Sequence, residues 1–141
     1  MDYTLTLTDA GDEDARKAIL AALVEYNVSK AGPSQGAPIA VLLRDNANAI
    51  IGGLWGSTGY GWLFTQFLVV PAGMRGRGIG TEIMQRAERE AVARGCHGAW
   101  LDTFEFQARQ FYERIGYTCF SELPDYPVGF SRFFMKKNLT G

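Results

Sequence analysis

The stretch from Trp62 to Arg94 constrains this chain more than any other. An apolar run from Trp62 to Val70 stops at Pro71, and a glycine-rich segment, Arg75-Gly76-Arg77-Gly78-Ile79-Gly80-Thr81, leads into residues whose apolar positions Ile79, Ile83, Ala87 and Ala91 recur at helical spacing. The pattern predicts a buried strand over 62–70, a tight loop, and an amphipathic helix over 78–94 that Gly95 terminates. Gly76, Gly78 and Gly80 let main chain come close to an anion, and the first helical turn presents unpaired N–H groups at the positive end of its dipole. With Arg75 and Arg77 adding fixed positive charge, the loop is suited to a pyrophosphate.

Register decides which phosphate ligand fits. A G-x-G-x-x-G dinucleotide fingerprint counted from Gly76 arrives at Thr81, and a G-x-x-x-x-G-K-[ST] loop counted from Gly73 finds Ile79 where lysine is needed. Both nucleotide readings fail. The remaining pattern, Arg75-Gly76-Arg77-Gly78-Ile79-Gly80, resembles the R/Q-x-x-G-x-G/A loop with which the GNAT superfamily of N-acetyltransferases holds the pyrophosphate of acetyl-coenzyme A. Downstream, Leu101-Asp102-Thr103-Phe104-Glu105-Phe106-Gln107-Ala108 followed by Phe111-Tyr112-Glu113-Arg114-Ile115-Gly116-Tyr117 is similar to that superfamily's fifth strand, next helix and F-Y-E-R-[IL]-G-[FY] signature. The similarity continues through Leu123 to Pro127 and the segment from Arg132 to Leu139, so it is close over the last half of the chain and in outline over the first.

Elsewhere the pattern supplies the remaining elements. Alternation over Tyr3–Thr8 predicts a first strand, and Asp9 or Asp12 is placed to cap a helix through Ala15, Ile19, Ala22, Leu23 and Tyr26 that ends near Lys30. The breaker-rich segment Ala31–Pro38 reads as a loop; many members of the resembled superfamily carry a second helix there, and its loss would open the acceptor side. A hairpin is expected from Ile39–Arg44 and Ala49–Trp55 around Asp45–Asn48, with Ser57–Gly61 as the next turn. Ala99–Thr103, a helix over Gln107–Ile115, and strands over Tyr117–Glu122 and Arg132–Lys137 complete the order. The expected fold class is α/β, a GNAT-like mixed, mostly antiparallel central sheet flanked by helices on both faces, in a single domain over 1–141.

Composition excludes several function classes. With 141 residues, 47% hydrophobic and 21% charged, the chain reads as a soluble globular domain, and a formal net charge of −1 offers no field to recruit nucleic acid or a membrane. No stretch approaches the ~20 apolar residues of a membrane span. The opening Met1-Asp2-Tyr3 lacks a signal-like pattern, so a cytoplasmic location is expected. Cys96 and Cys119 lack metal-ligand spacing and read as buried thiols, and no metal is expected.

Acetyl transfer to an amine needs an uncharged amine, an oxyanion site and an acid for the departing thiolate. The resemblance implies acetyl-coenzyme A as cosubstrate, held by main chain of Leu68, Val69 and Val70 and by Arg75, Gly76, Arg77, Gly78, Ile79, Gly80 and Thr81. It implies Tyr112 as general acid, although Phe111, Tyr112 and Ile115 also have the spacing of a core face. Gln66 stands where some members carry a glutamate that acts as base, so a carboxylate elsewhere or a water chain must take the amine proton; Asp102 and Glu105 are the candidates, although Asp102 is equally suited to bond main-chain amides at the strand end. Glu105 occupies the position of a common asparagine, so it is either a contact for a cationic acceptor or a helix-capping acid. Phe130 stands where many relatives carry histidine, which predicts a more apolar acceptor site near Asp125 and Tyr126. Trp55 and Trp62 are expected in the core or on the sheet face, and His97 on the surface. The expected activity is N-acetylation of a small-molecule primary amine; the alternatives are a protein or peptide amine as acceptor, or an acyl-coenzyme A sensor without turnover. A homodimer along the aromatic last strands, with Phe130, Phe133 and Phe134, is an expectation from the family.

Overall fold

The computed structural model describes residues 1–140 and divides them into two units, one over Met1–Ser34 and one from Gln35 onward. In the first, α1 spans Glu13–Ala31. The Asp12 side chain caps it by accepting from the Asp14 N–H, with Glu13 and Asp14 in the first turn and Lys30 in the last complementing the dipole. Gly32 closes it at φ +78°, its N–H donating to the Val28 carbonyl at 2.9 Å. The strand expected over Tyr3–Thr8 does not form. Alternation suits a residue run to a sheet, but a strand exists only where its main-chain groups find a partner, and these residues pair with none. No second helix follows α1 before the first strand.

The second unit is a six-stranded mixed sheet with helices. Its strands are β1 (Ala37–Arg44), β2 (Ile50–Gly59), β3 (Trp62–Val69), β4 (Gly98–Phe104), β5 (Thr118–Leu123) and β6 (Arg132–Asn138), in the order β1-β2-β3-β4-β6-β5. Every neighbouring pair is antiparallel except β3 and β4. That parallel pair needs a crossover, supplied by α2 (Ile79–Ala93), while α3 (Arg109–Arg114) joins β4 to β5. The first hairpin turn is organised by Asp45, whose Oδ1 accepts from the N–H groups of Ala47 at 2.9 Å and Ala49 at 3.0 Å. The second is tighter than its composition predicts: β2 runs on through Ser57, Thr58 and Gly59, leaving only Tyr60 and Gly61, both at positive φ, as a two-residue hairpin turn.

One core face of the sheet carries Leu63 and Thr65 from β3 and Ala99, Leu101 and Thr103 from β4, joined by Ile83, Met84, Ala87 and Ala91 of α2. Tyr112, Tyr117, Phe133 and Met135 belong to the same buried cluster. The sheet edges are β1 and β5. Because β6 lies between β4 and β5 and Phe133 is buried, the strand carrying Phe133 and Phe134 is not the free edge expected for a homodimer. Cys96 is buried as expected, whereas Cys119 is only half-buried. Trp55 stands exposed on the sheet face, and Trp62 lies edge-on to the exposed His97 ring. No helix among the described residues is long and apolar enough to cross a membrane.

Candidate functional site

The site begins where two parallel strands part. β3 and β4 pair only through Trp62–Gly98, Leu63–Ala99, Phe64–Trp100 and Thr65–Leu101. Beyond that last rung β3 continues to Val69 against β2, and β4 continues to Phe104 against β6. A bulge lies at the same level: Trp55 pairs with Phe67 and Gly56 with Thr65, leaving Gln66 as the extra residue on β3. A bulge bends its strand and increases local twist, which accounts for the separation starting at Gln66. Gly56 is required opposite it, since a Cβ there would stand 2.1 Å from the Phe64 carbonyl oxygen. The edge of β3 facing β4 from Gln66 to Val69 therefore lacks a strand partner, and Leu68 and Val69 lie on it. The Val70 carbonyl, just beyond, accepts from Arg75 Nε at 3.2 Å.

The glycine loop follows directly. Gly76 and Gly78 adopt φ of +78° and +76°, and Gly78 in the left-handed region is the residue from which α2 starts, with no side-chain cap. The first turn closes through the Glu82 N–H to the Gly78 carbonyl at 3.0 Å. The main-chain N–H groups of Gly76, Arg77, Gly78, Ile79, Gly80 and Thr81 donate to no acceptor among the described residues. A Cβ at Gly76 or Gly78 meets nothing within 4 Å, so the loop borders open space rather than packed side chains. Gly80 differs: a Cβ there would lie 3.2 Å from the Phe111 ring, so this glycine fits α2 against α3. Six free donors, exposed Arg77 and open space fit a pyrophosphate.

Tyr112 lies on α3 in the core cluster, 7% exposed, with its ring between those of Phe111 and Tyr117 at 5.1 and 5.9 Å. Both the packing role and an open hydroxyl are present. The hydroxyl makes no hydrogen bond among the described residues, yet it is not sealed from solvent. Burial, and secondarily the Asp102 charge, push its phenol up to about 12, so it remains protonated at neutral pH. Among the described residues one side chain is sealed and unpartnered: the Thr65 hydroxyl, at the last rung before the strands part.

Asp102 is the first β4 residue beyond that rung. Its Oδ1 accepts from both Nε and a terminal nitrogen of Arg132, the former at 2.8 Å, while Oδ2 is free of hydrogen bonds among the described residues. The Arg132 guanidinium also lies over the rings of Phe104 and Tyr126, at 5.0 and 4.8 Å. Glu105 ties the end of β4 to the following loop: its N–H donates to the Ser131 carbonyl at 2.8 Å and its Oε2 accepts from the Ser131 N–H at 2.7 Å, leaving Oε1 free. It caps no helix. Phe106 stacks on Phe104 and meets Phe130 edge-on, and Phe106, Tyr126 and Phe130 are each more than two-fifths exposed. The end of β4 is thus aromatic, in keeping with the phenylalanine at 130.

Three features escaped the linear pattern. The bulge at Gln66 had only a faint signal, the polar pair Thr65-Gln66 interrupting an apolar run. Arg132 as the partner of Asp102 lies thirty residues away and had none. Glu88 had a usable one: it falls on the inward stripe of α2 beside Met84, Ala87 and Ala91. A separate cavity of about 540 Å³ lies at the opposite end of β3 and β4, lined by Trp62, His97, Gly98, Lys136 and Asn138, away from the parted strands.

Residues 9–117 match the sequence model of the acetyltransferase (GNAT) family. An acetyltransferase of Agrobacterium fabrum is 40% identical over 131 residues, spanning 93% of this chain and 96% of that protein. Blasticidin-S acetyltransferase of Streptomyces morookaense is 36% identical over 127 residues, spanning 89% and 92%. The crystal structure of an assigned acetyltransferase from Agrobacterium tumefaciens aligns with a TM-score of 0.92 at 39% identity, over 96% of this chain and 99% of the other. An aminoglycoside 6'-N-acetyltransferase complexed with coenzyme A shares the fold at 21% identity, with a TM-score of 0.65 over 74% of each chain.

Proposed function

Since the chain belongs to the acetyltransferase (GNAT) family, an acetyl-transferring group of enzymes, we propose that it moves the acetyl group of acetyl-coenzyme A to the primary amine of a small molecule, with Tyr112 as general acid. The observation that carries this reading is the juxtaposition of parted strands with a loop of six unpaired N–H groups. Acetyl-coenzyme A supplies an activated acyl group on sulfur. The N–H groups of residues 76–81, with Arg77, bind its pyrophosphate, and the unladdered edge of β3 at Leu68 and Val69 offers main-chain hydrogen bonds to an extended amide-bearing arm. Arg75, anchored on the Val70 carbonyl, stiffens the corner between them.

Tyr112 supplies a proton at its Oη, which is protonated and has no hydrogen-bond partner among the described residues. The amine proton leaves to a carboxylate oxygen or to water. Asp102 Oδ2 suits this role best, because Asp102 lies at the vertex of the parted strands; Glu105 Oε1, beyond it, suits contact with the acceptor. Loss of acceptor-dependent turnover in Asp102→Asn with cofactor affinity retained is the expected signature, and full turnover in that variant would pass the role to water.

A small-molecule acceptor is favoured by the relatives that bear antibiotic names, blasticidin-S and aminoglycoside acetyltransferases, and by the aromatic rings of Phe106, Tyr126 and Phe130, which suit an amine with an apolar or planar portion. The test is thiol release from acetyl-coenzyme A across aminoglycosides, aminoacyl nucleosides, simple amines, amino acids and peptides, beside calorimetric binding of the cofactor. Release with small amines alone supports the reading, release with peptides alone replaces the acceptor class, and binding without release from any acceptor supports a sensor.

A further inference from the structure

Behind Tyr112 lies a polar network that neither the cofactor loop nor the proton transfer uses. Glu88, on α2 and 8% exposed, accepts at Oε2 from the Tyr117 hydroxyl at 2.9 Å and at Oε1 from Lys137 Nζ at 2.7 Å. Both oxygens of the buried carboxylate are engaged, by one residue just after α3 and one on β6. Tyr117, 2% exposed, touches Tyr112 twice more: its N–H donates to the Tyr112 carbonyl at 2.9 Å, and its ring meets the Tyr112 ring at 69°. Tyr117 is thus held at its backbone, its ring and its hydroxyl, and two of those three contacts are with Tyr112.

The same helix reaches α3 at a second point, where Gly80 lies against Phe111. α2 therefore reaches the aromatic neighbours of Tyr112 at two points, through Gly80 and Phe111 next to the loop and through Glu88 and Tyr117 two turns further on. Few paths remain by which its hydroxyl could shift relative to the amino end of α2. We propose that Tyr117 and Glu88 are positioning residues that set the Tyr112 hydroxyl relative to the cofactor loop, a role that rests on Tyr112 being the acid. A hydroxyl that must meet a departing sulfur gains from a fixed placement, because small displacements cost large factors in rate. The rings against Tyr112, those of Phe111 and Tyr117, hold it by contact alone, whereas the Glu88 carboxylate gives the Tyr112–Tyr117 pair a directional anchor.

The test labels tyrosine with ¹³C at Cζ and assigns the Tyr112 resonance by its loss in Tyr112→Phe. In the cofactor-free protein, Tyr117→Phe is expected to shift and broaden that resonance, and Glu88→Gln, which keeps an acceptor for the Tyr117 hydroxyl, to leave it in place. With the acceptor identified by the amine panel, Tyr117→Phe is expected to lower kcat about tenfold while KM for acetyl-coenzyme A stays within about twofold. In a Tyr112→Phe background the same change should cost nothing further. An unmoved Tyr112 resonance, or an equal loss of kcat with and without the Tyr112 hydroxyl, overturns the proposal. Unchanged turnover in Tyr112→Phe alone overturns instead the assignment of the acid, and the resonance separates the two failures.

Discussion

The two halves of α2 are built to opposite rules. At its amino end, six consecutive N–H groups have no acceptor among the described residues, Gly78 takes the place of a capping side chain, and open space borders the loop at Gly76 and Gly78. At its carboxyl end little is left unpaired. Arg94 NH1 donates to the Pro38 carbonyl and to Thr58 Oγ1, both at 3.0 Å; the Cys96 N–H donates to the Ala91 carbonyl at 2.9 Å; and Glu88 is saturated by Tyr117 and Lys137. Groups paired inside the protein hold the helix to the sheet, and groups left over are available to a ligand. The two phenols repeat the contrast: that of Tyr117 is anchored, and that of Tyr112 is free.

The largest expected effect tests what the two phenols share. Burial and nearby negative charge raise both, so each stays protonated in the folded chain after an unfolded tyrosine, near 10, has begun to ionise. Stability is then complete below about pH 10 and is lost as pH rises towards 12, with Tyr112 alone accounting for about 3 kcal/mol. Urea unfolding across that range should show the decline, and Tyr112→Phe should make it shallower; a slope identical in both proteins would remove Tyr112 as its source. Next in size, Tyr112→Phe should reduce turnover about 100-fold while calorimetric affinity for acetyl-coenzyme A holds, because ring packing survives and only the proton donor is lost. Weakened binding at full turnover would make Tyr112 part of the cradle instead.

Gly78→Val acts at the open end. A β-branched residue at φ +76° is strained and intrudes on the space beside the free N–H groups, so cofactor affinity should fall about thirtyfold, roughly 2 kcal/mol. Arg94→Ala acts at the closed end and should cost about 1–2 kcal/mol in thermal or urea unfolding, leaving cofactor affinity unchanged. If these two variants exchanged phenotypes, the contrast between the helix ends would collapse. Smallest is Thr65→Val, which replaces an orphan buried hydroxyl with a methyl of similar shape and should stabilise the fold by about 1 kcal/mol. A loss of stability there would reveal a partner for that hydroxyl, such as a bound water.

Legibility followed the range over which each interaction acts. The apolar period of α2, its stop at Gly95 and an aspartate cap for α1, narrowed to Asp9 or Asp12, involve neighbours a few residues apart and were readable. The strand expected over Tyr3–Thr8 was readable as a pattern and wrong as structure, because pairing depends on a partner that the local pattern does not specify. At the candidate site, the glycine loop and Tyr112 were legible as matches to the resembled family's motifs. The states of Asp102 and Glu105 could not, since Arg132 and the Ser131 N–H reach them only after β6 has folded against β4.

The order of residues alone indicated roughly where the helices fall, which loop carries closely spaced glycines before a helix, and which family the chain resembles. These are matters of local backbone preference and of spacing along the chain. Tertiary structure decided that β3 leaves β4 at Thr65, that Gln66 bulges there, and that a glutamate on α2 holds the tyrosine packed behind Tyr112. The reason is physical: a bulge, an unpaired strand edge and a buried hydrogen bond are relations between segments tens of residues apart, and they come into being only when packing brings those segments within bonding distance.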